Sequence, residues 1–158
     1  MPARWVGLVA SGSSVTVVDV EVPDATDAPL VILSDDTWKL QNGDKARAYA
    51  VLHQRCSDYL RENRVDEVVV KASALTMGTT KLSHLESAEV RGVAIAAAAT
   101  VCPVRELAKA AISRNFGDRK VDEYLKDEAF WADAVAGGRL RKTSREAAML
   151  LVAARSAE

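Results

Sequence analysis

The sequence predicts one mixed α/β domain, and three observations carry that prediction. Short β-branched runs alternate with helical stretches in the order β-β-β-α-β-α-β-α followed by a terminal helix, which is the pattern of a sheet flanked by helices. At 158 residues with 49 % apolar content, the chain suits a single core over residues 1–158 better than two. No internal repeat or low-complexity segment interrupts it.

The elements follow in order. Trp5 to Ala10 is an apolar run, Ser11-Gly12-Ser13-Ser14 is a turn cluster, and Val15 to Val22 alternates valine with polar residues, so the chain is expected to open as a β-hairpin. Pro23 to Pro29 reads as a loop and Leu30-Val31-Ile32-Leu33 as a third strand. Asn42-Gly43-Asp44 punctuates the chain before a helix whose apolar stripe, Tyr49, Leu52, Cys56, Tyr59 and Leu60, should cover one face of the sheet. Val65 to Val70 is short, continuous and β-branched, as a central strand buried on both faces would be. Ala72 to Lys81 reads as a loop. Leu82 or His84 to Thr100 is helical and alanine-rich at Ala94 and Ala96 to Ala99, where small side chains permit close approach of a neighbour. Pro103-Val104 starts another short strand, and residues 106–128 read as helical pieces broken near Asn115-Phe116-Gly117. Gly137-Gly138 is a loop, and Thr143 or Ser144 caps a last helix to about Ser156, with Glu146 in its first turn.

Composition narrows function. Lys plus Arg number 21 against 22 Asp plus Glu, so no global positive field draws this chain onto nucleic acid, and any such contact must come from a local patch. Cys56, Cys102, His53 and His84 stand apart, without the spacing of a metal site or a redox pair. No apolar stretch reaches the roughly 18 residues of a membrane span, and the N-terminus lacks a basic segment leading into a long apolar run. The expectation is a reduced, cytoplasmic protein without a membrane partner.

Four short segments carry the chemistry: Val9-Ala10-Ser11-Gly12-Ser13, Val68-Val69-Val70-Lys71, Glu89-Val90-Arg91-Gly92-Val93-Ala94-Ile95-Ala96 and Glu146-Ala147-Ala148-Met149. Together they resemble the landmarks of RuvC-type Holliday-junction resolvases, and similarly of small RuvC-like bacterial proteins. The first looks like that family's Ile-Asp-Pro-Gly-Ser, the second like its strand ending in a catalytic glutamate. The third resembles Gln-Ala-Arg-Gly-Val-Ala, the most specific match, and the last resembles Asp-Ala-Ala-Asp-Ala-Leu. The resemblance spans roughly Gly7 to Ala154 and implies an RNase H-like mixed sheet. It implies a homodimer too, with the helix that begins near His84 at or close to the interface. It places Ala10, Lys71 and Met149 where the family has acids, and only Glu146 keeps one.

Those departures bear on mechanism. Nucleases of this fold clamp the attacking and leaving oxygens of a phosphodiester with two hard divalent cations about 4 Å apart, and such cations need carboxylate oxygens. Ala10 and Met149 offer no ligand, and the Lys71 ammonium would repel Mg²⁺. The favoured reading is therefore a non-catalytic RuvC-like protein acting through binding, as a structural or nucleic-acid-associated module, with no cofactor or metal. The alternative is a Mg²⁺-dependent nuclease using displaced acids such as Asp19 and Glu89 with Glu146. Asp19 on an alternating strand, and Glu86 and Glu89 on a helix face, are expected as solvated charges. Lys71 either pairs with Glu146, replacing a metal electrostatically, or snorkels to solvent. Arg139, Arg141, Lys142 and Arg145 put four positive charges into seven residues; such a cluster contacts phosphates or is a solvated loop. A protein partner is the other candidate.

Overall fold

The computed structural model describes residues 2–72, 81–117 and 119–157. The opening hairpin pairs β1 (Ala3–Ala10) with β2 (Ser14–Val22), antiparallel from Ala3 opposite Val22 to Ala10 opposite Val15. In its turn the Ser11 hydroxyl accepts from the amides of Ser13 and Ser14. β3 (Leu30–Lys39) adds antiparallel to β2, β4 (Glu67–Lys71) lies parallel to β1 on its other side, and β5 (Val104–Leu107) lies parallel to β4. A two-residue strand, β6 (Val135–Ala136), closes on the start of β3 and completes a six-stranded sheet ordered β5-β4-β1-β2-β3-β6.

Alternation along the strands builds two cores. Val6, Leu8, Val15, Val17, Val68 and Val70 point to one face, where they meet α1 (Lys45–Glu62) and α2 (Leu82–Ala99). Asp44 caps α1 by accepting from the Ala46 amide, and Leu52, Cys56 and Leu60 form the buried stripe. On α2 the buried residues are Val90, Ala94, Ala97 and Ala98, small enough for the helix to lie close on α1 and the sheet. Trp5, Val18, Val20 and Val69 point to the opposite face and meet α6 (Arg145–Ser156), with α3 (Lys109–Phe116), α4 (Val121–Leu125) and α5 (Glu128–Ala134) around it. At Gly7 the α6 backbone rests directly on β1: a Cβ there would stand 2.4 Å from the Ala147 carbonyl oxygen.

The single-domain mixed α/β architecture matches the sequence prediction, and the differences lie at its edges. β3 does not end near Leu33 but continues through Ser34, Asp35, Asp36 and Thr37 to Lys39, which stands opposite Ser14. Polar residues are tolerated there because β3 lies near the sheet edge. Neither α5 nor β6 shows in the sequence. α5 is too short for a periodic stripe and rests on Asp127, whose carboxylate accepts from the Phe130 amide. β6 leads into Gly137, whose φ of +81° turns the chain against Val31. Ser144 stands at the N-cap of α6 after a 3₁₀ turn over Lys142–Ser144, yet its hydroxyl donates to Asp35 instead of accepting from a first-turn amide. The loop read over Ala72 to Lys81 lies largely outside the described residues.

Candidate functional site

β1 and β4 end side by side, and α6 begins above them on one face of the sheet. β4 sends Val68 and Val70 to the α1–α2 face and Val69 to the α6 face, so the next residue, Lys71, shares the α6 side. There the Lys71 ammonium lies 2.8 Å from the Glu146 carboxylate, both side chains about one-third exposed. Glu146 occupies the first turn of α6, where a negative charge is favoured by the helix dipole. From the other face, Arg91 of the Arg-Gly-Val-Ala segment donates its Nε–H to the Lys71 carbonyl at 2.9 Å. One residue at a strand end thus ties α2 to α6.

The same alternation separates Ala10 from this pair. Ala10 packs with Val6 and Leu8 toward α1 and α2, and it is Val9 that packs toward α6. The sequence match at Ala10 is therefore displaced by one residue from the face that carries Lys71 and Glu146. Val9 offers no oxygen either. Met149, one turn beyond Glu146, is fully buried in the α6 core. Among the described residues, no group of three His, Cys, Asp or Glu side chains is arranged to hold a metal ion.

The displaced acids are engaged elsewhere. Asp19, expected as a solvated charge, is completely buried. It accepts from Arg4 Nη2 at 2.6 Å, from Arg4 Nε at 3.0 Å and from the Tyr59 hydroxyl at 2.5 Å. Burial first, and then the bond to Asp19, push the Tyr59 phenol up to about 12. Asp19 faces Val6 of β1 whereas Val70, just before Lys71, faces Leu8, so the acid lies roughly 10 Å along the strand from Lys71. Glu89 pairs with Lys45 at 2.9 Å on the exposed side of α1 and α2, and Glu86 lies against the Ser11–Ser14 turn. None of the three joins Glu146.

The basic run divides into two pairs. Arg141 Nη2 reaches Asp35 at 2.8 Å and the Arg141 amide donates to the same carboxylate; Arg145, 6 % exposed, donates to Glu128 at 2.7 Å and to the Leu125 carbonyl. Burial tends to raise the Asp35 pKa, but its bonds from Arg141 and Ser144 outweigh this and hold it below the ordinary carboxylate value. A depressed folded value contributes stability above the unfolded pKa, lost as pH falls through the folded one. Arg139 and Lys142 project into solvent, Lys142 only loosely near Glu128 at 4.0 Å. Asp35 and Glu128 are partners the sequence does not announce, since one lies more than a hundred residues from the cation it holds.

A mixed sheet with its opening hairpin at the centre, two helices on one face and a closing helix laid across β1 defines the RNase H-like fold of RuvC resolvases. The chain is similar to the Thermus thermophilus RuvC structure, with a TM-score of 0.75 over 95 % of this chain and 92 % of that one at 13 % identity. T. thermophilus RuvC in complex with Holliday junction substrate gives 0.68, over 96 % and 92 % at 16 % identity. The yeast mitochondrial Holliday junction resolvase Ydc2 gives 0.61, over 98 % and 77 % at 10 % identity. No family model and no curated protein matches the chain.

Proposed function

We propose that this RuvC-fold protein acts by binding rather than by hydrolysis, as a structural or nucleic-acid-associated module. The observation that carries the reading is the Lys71–Glu146 pair. A two-metal mechanism needs several carboxylate oxygens converging on two cations. Here the Glu146 carboxylate at the junction of β4 and α6 is held by an ammonium, and Val9 and Met149 on the same side of the sheet are apolar. The relation to nucleic acid rests on the fold, which T. thermophilus RuvC carries in its complex with Holliday junction substrate.

Calorimetric titration with Mn²⁺ is expected to show no micromolar site, and incubation with branched, single-stranded and duplex substrates to give no metal-dependent cleavage. A micromolar site abolished by Glu146→Ala, with cleavage lost in the same variant, would establish the nuclease alternative instead.

A homodimer through α2 belongs to the same reading. The outward side of this helix is open at Gly92, Ala96 and Ala99, where nothing lies within 4 Å of a Cβ placed on Gly92, and it continues through exposed Leu85 and Leu82. A twofold contact along that side would bury both leucines. Sedimentation at micromolar concentration should give twice the 17.0 kDa mass, and Gly92→Glu should return it to the monomer. A wild-type protein that sediments as a monomer removes the dimer. A cytoplasmic setting fits two free cysteines and described helices none of which is long and apolar enough to cross a membrane.

A further inference from the structure

The outer edge of β3 is open over its second half. β6 pairs with it only at Leu30 and Val31, and the chain leaves past Ile32 at Gly137, so among the described residues no strand flanks Asp35 to Lys39. The Leu40 amide donates to the Ser13 carbonyl, and bonding along an antiparallel pair alternates. Trp38 and Asp36 therefore turn their backbone groups to β2, while Asp35, Thr37 and Lys39 turn theirs outward. The Thr37 amide agrees with this, since it donates to the Asp36 carboxylate at 2.7 Å and not to β2. A row of outward amides and carbonyls is a template for another strand.

The charges along this edge select that strand. Lys39 is exposed and makes no ion pair among the described residues. The Arg141 side chain and Ser144 share Asp35 Oδ1, whereas Oδ2 accepts only from the Arg141 amide among the described residues, so it has room for a further donor. On the other face, Arg55 lies 4.9 Å from the Trp38 ring centre and 3.9 Å from Asp36. Two copies of this stretch, laid antiparallel with a twofold axis at Thr37, complement each other throughout. Asp35 stands opposite the partner's Lys39, Thr37 opposite the partner's Thr37, and Trp38, with Arg55 over it, opposite the partner's Asp36. Axes at Asp35, Asp36 or Lys39 would each set like charges face to face, and an axis at Trp38 pairs no opposite charges. We propose that Asp35 to Lys39 is a docking edge for the same stretch of a second copy, continuing the sheet across a twofold axis at Thr37. The Thr37 amide then exchanges the Asp36 carboxylate for the partner's Thr37 carbonyl. This contact is separate from the one along α2, and a protein that makes both assembles beyond the dimer.

So short an edge buries less than the roughly 800 Å² per partner of a standard interface, and association is expected at about 0.1–1 mM. The test uses the full chain carrying Gly92→Glu, which removes the α2 contact and so keeps the two associations apart. Sedimentation of this variant is expected to show a dimer over that range, and added Lys39→Glu, which faces acid with acid, to weaken it about tenfold. Thr37→Cys in the same background sets a thiol opposite its own copy. Oxidised glutathione should then join two chains through a disulfide, the two thiols losing their protons and the oxidant being reduced to its thiol. Gln41→Cys, exposed beyond the same strand but opposite the partner's Leu33, should cross-link about tenfold more slowly, and the parent with its native cysteines more slowly still. Equal cross-linking at the two positions, a dimer that Lys39→Glu leaves unchanged, or a protein still monomeric at about 1 mM overturns the proposal and leaves the edge closed by Asp36 alone.

Discussion

Asp19→Ala is expected to lower the free energy of unfolding by about 2–3 kcal/mol, because it removes the buried acceptor of a part-buried cation and a phenol. The carboxylate is completely buried, and it accepts two bonds from Arg4 and one from Tyr59. Without it, the Arg4 guanidinium keeps a longer bond to Asn63 at 3.3 Å, and the Tyr59 hydroxyl loses its short bond to a carboxylate. Urea denaturation followed by circular dichroism measures the loss. The double variant Arg4→Met with Asp19→Leu is expected to recover most of it, since an apolar pair leaves no orphaned charge. A loss below about 1 kcal/mol for Asp19→Ala would mean that the pair behaves as a solvated one.

Gly7→Val is expected to cost about 3 kcal/mol, at the upper end of ordinary overpacking, because the first atom it adds collides with backbone. A Cβ at this position meets the Ala147 oxygen at 2.4 Å and carbon at 3.1 Å, and Leu151 Cγ at 3.2 Å, none of which is the far end of a flexible chain. α6 must therefore lift away from β1, and the Lys71–Glu146 contact at its first turn must lengthen with it. The thermal midpoint should fall by roughly 6–12 °C in a domain of this size. Gly7→Ala should show a smaller loss of the same sign. Equal midpoints for wild type and Gly7→Val would contradict the close approach of α6.

Much of this fold was legible because strands with both faces buried announce themselves. Val68, Val69 and Val70 form a continuous β-branched run and prove to be a central strand, and Asp44 marks the start of α1 by its capping chemistry. The misreadings share a cause: each depends on a partner far away in sequence. The second half of β3 is polar, yet β2 extends it and Arg141 reaches Asp35 across more than a hundred residues, which no local pattern encodes. The pairing of Arg145 with Glu128 escapes for the same reason.

Asp19 is different, because a signal was present. It lies in step with Val17 and Val15, two and four residues earlier, and so shares their buried face; an acid in that register asks for a cation to meet it. The alternation also holds the clue to the displaced motif at the end of β1. The short motif resemblance puts Ala10 beside Lys71 and Glu146, whereas the two-residue period that starts at Val6 and Leu8 assigns Ala10 to the opposite face and Val9 to theirs.

The Lys71–Glu146 contact also changes what the junction of β4 and α6 depends on. A cation carried on a side chain is tethered, and its local concentration is set by the length of that side chain instead of by free ions in the surroundings. Chelators cannot strip it, and a fall in magnesium leaves it in place. Ionic strength is what acts on it, so the meeting point of strand and helix answers to the salt around it.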